Sequence, residues 1–281
     1  MYKKQIAVSV AIVAVMGYLY YLPVKGLIKP KEAKNDKTTV LNSRKAATTV
    51  TVDMVSEPAK AAIGAALAAK ITDLEGQLKT ASGADAEKLQ QQLAKQWDDD
   101  NQPAPAAFYY QALARKGNKA EDWLNAGGRF NDAYKLTQDT LLQPAFVSNA
   151  AEAFQNALKL QPESLAGKTG LGVAYVNGAG APMQGIALLL EVVKKDPNNW
   201  SANLNLGMFA MKSGQFEKAV ARFKTLLAQK AELEPEFYLA ESYKQLGMKK
   251  EAIEAYQKCK NMVPDQAFVQ RIDDDINELK K

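Results

Sequence analysis

Apolar positions in the second half of the chain fall into paired stripes at helical spacing. From Trp200 the pattern runs Leu206-Gly207, a break at Gly214, then Ala219 and Phe223, and ends near Ala231. From Leu233, 33 positions further on, it returns as Leu239-Ala240, Tyr243, Gly247, Ala252, Tyr256 and Pro264. Apolar residues three and four apart share one helix face, so each unit reads as two helices around a turn. Packing accounts for the residue types. Small Gly207 and Ala219 let helices approach, large Phe223, Tyr243 and Tyr256 fill the space between them, and Gly214 and Gly247 suit a left-handed turn.

The same frame extends upstream. Leu171-Gly172, Tyr175, Gly185, Leu189 and Pro197 make a looser unit from about Leu165, with an irregular NGAGAP turn at Asn177 to Pro182. Before it, Asp122 to Phe130 reads DWLNAGGRF. Two adjacent glycines inside a helix each cost about 0.5–1 kcal/mol relative to alanine. In a unit beginning at Ala120, Trp123, Ala126, Gly127 and Phe130 take the repeat positions, and Gly127 is the close-contact residue. Gly128 falls on the face that lines an inner groove, where a missing side chain makes room for a ligand or tolerates a bend. The second helix, with Ala150, Phe154, Ala157 and Pro162, arrives about eleven residues late, so an insertion lies within Asp132 to Pro144. A first unit starts near Glu87 with Leu93-Ala94, Trp97, Ala106, Tyr110 and Leu113 around a DDDNQPAP turn.

Five units therefore occupy residues 87–264, enough for stacked repeats to bury a continuous core. Residues 265–281, with Ala267, Phe268, Ile272, Ile276 and Leu279 on one side, predict a C-terminal capping helix. Residues 61–86 predict an N-terminal one from Ile63, Leu67, Ile71, Leu74 and Leu78, a run too short for a coiled coil. The constant period and multi-position pattern resemble the tetratricopeptide repeat family over about two-thirds of the chain. That resemblance implies an all-α fold, an α-solenoid of about five helix-turn-helix units whose first helices line a concave groove for a protein or peptide partner. The residues it would place there are Asn125, Asn131, Asn205, Met208, Lys212, Glu241 and Lys244. The Lys/Asn/Arg clamp with which members of the family hold C-terminal carboxylates is not evident. The mixed Asn, Met and Lys lining suits an extended peptide or a partner helix.

The first 60 residues are of a different kind. Ile6 to Leu22 is uncharged, follows Lys3-Lys4 and gathers Tyr18, Tyr20 and Tyr21 at one end. As a helix it would be roughly 26 Å long, close to the ~30 Å of a bilayer core, with tyrosines at an interface. Residues 1–24 read as an uncleaved transmembrane anchor; a cleaved signal peptide is the competing reading, although no good A-x-A site follows. Residues 25–60 lack helical periodicity and read as a flexible tether, with a short strand-like run at Thr48 to Val55 as the alternative. Anchor, Lys/Thr-rich tether and five repeats together resemble repeat-containing envelope proteins of Bacteroidota. This implies a single-pass inner-membrane protein with a periplasmic solenoid. A simple count of positive charges on the two flanks favours the opposite orientation.

Composition narrows the chemistry. The 281-residue chain has no histidine, which removes the commonest general base and metal ligand, and its single cysteine, Cys259, cannot form an intramolecular disulfide. The net charge of +5 resides in the arm: residues 1–60 hold ten Lys/Arg against four Asp/Glu, and the remainder is nearly neutral. No basic domain surface argues for nucleic acid. Gly170-Leu171-Gly172 and Gly178-Ala179-Gly180 complete no dinucleotide fingerprint, and Asp98 to Asn101 lacks the glycine and glutamate of a calcium loop. Neither an enzyme nor a metal or cofactor site is expected. The expected role is a membrane-anchored scaffold or adaptor that binds a protein partner, either alone or within a larger membrane complex. The alternative is an accessory factor of envelope biogenesis, in secretion or cytochrome maturation, that holds an unfolded client.

Overall fold

The computed structural model describes residues 50–180 and 182–281, which form thirteen α-helices and no strand. Two N-terminal helices, α1 (Val52–Ala62) and α2 (Ala65–Thr80), precede five helix pairs. The pairs are α3 (Gly83–Asp99) with α4 (Pro103–Gly117), and α5 (Ala120–Leu136) with α6 (Gln143–Leu160). Then come α7 (Leu165–Ala174) with α8 (Pro182–Lys195), α9 (Trp200–Lys212) with α10 (Phe216–Leu227), and α11 (Leu233–Gln245) with α12 (Lys249–Met262). The capping helix α13 (Gln266–Leu279) buries Ile272, Ile276 and Leu279. Pairs two to five begin at the residues where the sequence units begin.

The turns show why each pair closes. Gly214 and Gly247 hold φ of 72° and 70°, and Gln215 N–H and Met248 N–H reach back to the carbonyls of Ala210 and Tyr243 at 2.8 and 3.0 Å. In the first pair Asn101, with φ of 54°, does the same work, and Gln102 N–H donates to Trp97 at 2.8 Å. The Asp-rich stretch beside it is thus a helix–helix connection. Ser164, Asn199 and Asp265 cap α7, α9 and α13 by accepting from the N–H of Gly167, Ala202 and Phe268. The insertion expected in the second unit is absorbed largely as helix: α5 and α6 run 17 and 18 residues, against 13 and 12 for α9 and α10. The irregular turn of the third unit is a π-helical turn over Tyr175–Ala179.

First helices of neighbouring pairs touch one another, α5 on α7, α7 on α9 and α9 on α11, whereas the second helices pack far less against each other. A layer compressed on one side and spread on the other curves, with the first helices inside. The glycines set how tightly the layers meet. A Cβ on Gly127 would stand 2.8 Å from the Phe154 ring, one on Gly170 only 2.1 Å, and one on Gly207 2.6 Å from Phe223. Phe154 of α6 is therefore wedged between a first helix of its own pair and one of the next.

The N-terminal end differs from its sequence reading. Residues 52–60, assigned to the tether, are helical, and residues 61–86 are not one capping helix but the end of α1, all of α2 and the start of α3. Val55, Ser56 and Ala59 share a buried face at helical spacing, which the surrounding Thr and Val residues obscure, and Val50 is buried just ahead of them. Glu75 of α2 ties α1 down, accepting from Ser56 Oγ at 2.5 Å and Lys60 Nζ at 2.9 Å, while Tyr109 of α4 donates to the same carboxylate at 3.3 Å. The anchor expected over residues 6–22, and the tether before residue 50, lie outside the described residues. Among the described residues no helix is long and apolar enough to cross a membrane.

Candidate functional site

The inner faces of α5, α7 and α9 wall a groove of about 400 Å³. Leu124, Gly128 and Asn131 come from α5, Thr169, Gly170 and Val173 from α7, and Ser201 and Asn205 from α9. The Phe154 ring of α6 reaches the lining because Gly127 and Gly170 leave its path open. A Cβ at Gly128 would meet nothing within 4 Å, so the second glycine of DWLNAGGRF faces open groove while the first faces a neighbour's ring.

The groove's polar groups are incompletely used. Asn131, 7% exposed, donates its amide to the carbonyl of Gly170 at 3.1 Å, and its Oδ1 is buried without a hydrogen-bond partner. Thr169, 5% exposed, likewise has a buried Oγ1 without one. Asn205 donates to Ser201 carbonyl at 2.8 Å. A buried polar atom left unsatisfied costs roughly 1–3 kcal/mol, so these atoms favour any ligand or water that supplies the missing bond. At the end nearest α3, Arg129 is held between Asp98 at 2.6 Å and Asp132 at 3.1 Å, and Tyr110 donates to Asp98 at 2.9 Å. Burial, and then that hydrogen bond, push the Tyr110 phenol up to about 12.

Of the seven positions expected to line the groove, Asn131 and Asn205 meet in this cavity. Asn125 is exposed on α5 outside the lining, and Met208 is partly buried on α9. Lys212 is exposed at the end of α9, its Nζ 5.8 Å from the centroid of the Phe209 ring. Glu241 and Lys244 are engaged within the protein: Tyr256 OH donates to Glu241 at 2.5 Å, and Lys244 Nζ donates to Asp275 of α13 at 2.6 Å. Thr169 and Phe154 were missed. Thr169 stands at the same place in its unit as Leu124 in the preceding one, so repeat register carried from one unit to the next points to it. Phe154 belongs to a second helix, and only the glycine gap brings it through. Cys259 is fully buried, and burial pushes its thiol up to about 12, the environment of a packing residue.

Residues 178–240 and 236–265 match two tetratricopeptide repeat models. No curated protein sequence matches the chain. Among solved structures, the chain is similar to TTC0263, a thermophilic TPR protein of Thermus thermophilus, at 21% identity over 67% of this chain and 97% of that one, with a TM-score of 0.52. It also matches MamA at 15% identity, 64% and 92% coverage and a TM-score of 0.46. A third match is YrrB, described as a TPR protein with an unusual peptide-binding site, at 18% identity, 66% and 91% coverage and a TM-score of 0.45. The repeat matches and the first of these structures establish the fold as a tetratricopeptide-type helical solenoid, an architecture typical of protein-interaction scaffolds.

Proposed function

We propose that this protein is a membrane-tethered scaffold whose inner groove, walled by α5, α7 and α9, holds a segment of a protein partner. The observation that carries the reading is the pair of buried, unpartnered polar atoms, Asn131 Oδ1 and Thr169 Oγ1, on the wall of one groove. An extended segment offers backbone N–H and C=O groups along its length, which complement an amide oxygen and a hydroxyl, while its side chains meet Phe154, Leu124 and Val173. The tether rests on the apolar run at Ile6 to Leu22, and the same reading places the solenoid on the periplasmic side of an inner membrane.

The test uses tagged full-length protein in intact cells, with a photoreactive side chain at Gly128, where the backbone accepts one without a clash. Crosslinking followed by mass spectrometry is expected to capture a reproducible protein. Capture through a reporter at Ser201, an exposed residue of the same lining, is expected to fall by about tenfold or more when Gly128→Trp fills the groove. Capture indifferent to Gly128→Trp rejects the groove as the binding site. Exported partners agree with the periplasmic orientation, and cytoplasmic partners alone reverse it.

A further inference from the structure

On the outer layer, a second groove of about 310 Å³ lies between α8 and α10, with α9 as its floor. Its lining is apolar where α9 shows through, at Leu206, Phe209 and Ala210. On α8 an apolar stripe runs along its edge: Met183, 74% exposed, then Ile186, Ala187 and Leu190, 45% exposed. These positions follow the i, i+3, i+4, i+7 rule, so one face of α8 is built like a helix-packing face on which no helix of the described residues lies.

The charges around this groove share one sign. Lys218 and Arg222 of α10 line it, Lys194 continues the α8 stripe one turn beyond Leu190, and Lys212 lies over the Phe209 ring. None of the four has a carboxylate within ion-pairing distance among the described residues, and no acidic residue lines the groove. Glu217 is a quarter-turn or so off the lining face of α10, at about 100° from Lys218. Glu191, beside Leu190, is engaged by Lys168 at 2.6 Å. Arg222 is held in place, with Nη1 donating to Asn203 Oδ1 at 3.0 Å, while Asn203 Nδ2 donates to Pro197 carbonyl at 2.8 Å. One donor of the guanidinium fork is thus spent on orientation, leaving the rest for a carboxylate.

We infer that this outer groove is a second docking surface, which takes an amphipathic helix of a partner protein with an apolar ridge flanked by Asp or Glu. A recessed apolar floor beside cations with no carboxylate partner among the described residues selects both features: the ridge removes Met183 and Leu190 from water, and the acidic flanks pair with Lys194, Lys218 and Arg222. From Met183 to Lys194 the stripe extends roughly 16 Å, the length of about three turns of an occupant helix. The site is independent of the inner groove, lying on the opposite helix layer.

The experiment displays a library of 16-residue helical peptides, varied at ridge and flank positions, and selects binders to full-length protein purified in detergent. Enriched peptides are expected to carry apolar residues at i, i+3, i+4 and i+7 with acidic flanks. They should bind about tenfold or more weakly to Leu190→Glu and to Arg222→Glu, and lose affinity as salt is raised. Gly128→Trp should leave their binding unchanged, which separates this surface from the inner one. A selected peptide should also protect the amides of α8 and α10 from hydrogen exchange. Absence of such peptides, or binding that ignores Leu190→Glu, overturns the inference. Protection of α8 that arises without peptide also overturns it: from raised protein concentration it assigns the face to a second copy of this chain, and from phosphatidylglycerol nanodiscs to a bilayer.

Discussion

Matching repeat positions on the inner faces of α5 and α11, Gly128 and Asn131 against Glu241 and Lys244, end in different states. At α5–α7, Asn131 and Thr169 are buried with polar atoms left over, and Gly128 opens onto the groove. At α11, Glu241 accepts from Tyr256 and Lys244 is tied to Asp275 of the capping helix. The cap supplies at the end of the stack what a following repeat, or a bound segment, supplies in the middle. A polar residue on the inner face is available to a partner only where no later helix of the chain has already taken it.

The sharpest way to break this comparison is to remove the ring that joins two repeats at the open groove. Phe154→Ala empties the space shared by α5, α6 and α7, and should cost about 3–5 kcal/mol in denaturant unfolding. A loss below about 1 kcal/mol would mean that the ring packs loosely and that the glycine gap has another cause. Next in size is Gly170→Ala, whose Cβ would stand 2.1 Å from that ring. It should destabilise by about 1–3 kcal/mol, as overpacking does. Gly128→Ala should go the other way, raising stability by about 0.5–1 kcal/mol, because its new methyl meets nothing and helix propensity alone decides. Opposite signs for two glycines on one groove are a check no single substitution provides.

The repeat was legible because every unit must solve one packing problem with the same sizes of side chain in the same order. Gly207 against Phe223 and Gly127 against Phe154 follow from that rule. Gly128 obeys no packing demand, so its alternatives stayed open until the space around it was visible. Helix α1 was illegible for the opposite reason. Its stripe is short, the helix holds Pro58, and a Thr- and Val-rich run at residues 48–52 leads into it, whose strand preference masks a helical face completed only by contacts from α2 and α4. Nor could period alone tell a free groove residue from Lys244. Its partner, Asp275, is 31 residues away on a helix outside the repeat.

An effect no larger than that of Gly128→Ala tests the closed end. The Asp275 hydrogen bond holds the Lys244 ammonium above the usual lysine range, against burial that acts the other way. A folded-state value raised above the unfolded one stabilises fully below the unfolded pKa, near 10.5, and the gain disappears as pH rises through the higher folded value. At pH 7, Lys244→Met should therefore cost only about 0.5–1 kcal/mol, since the pair is partly exposed, with the loss concentrated as faster amide exchange in α13. Melts followed by circular dichroism from pH 8 upward should show the difference between native and Lys244→Met protein shrinking only above about pH 10.5. A difference that persists unchanged well above that pH would place the stabilisation in packing of the lysine stem rather than in its charge. The cap would then close the inner face by shape alone, and the contrast with the polar atoms of Asn131 and Thr169 would lose its electrostatic basis.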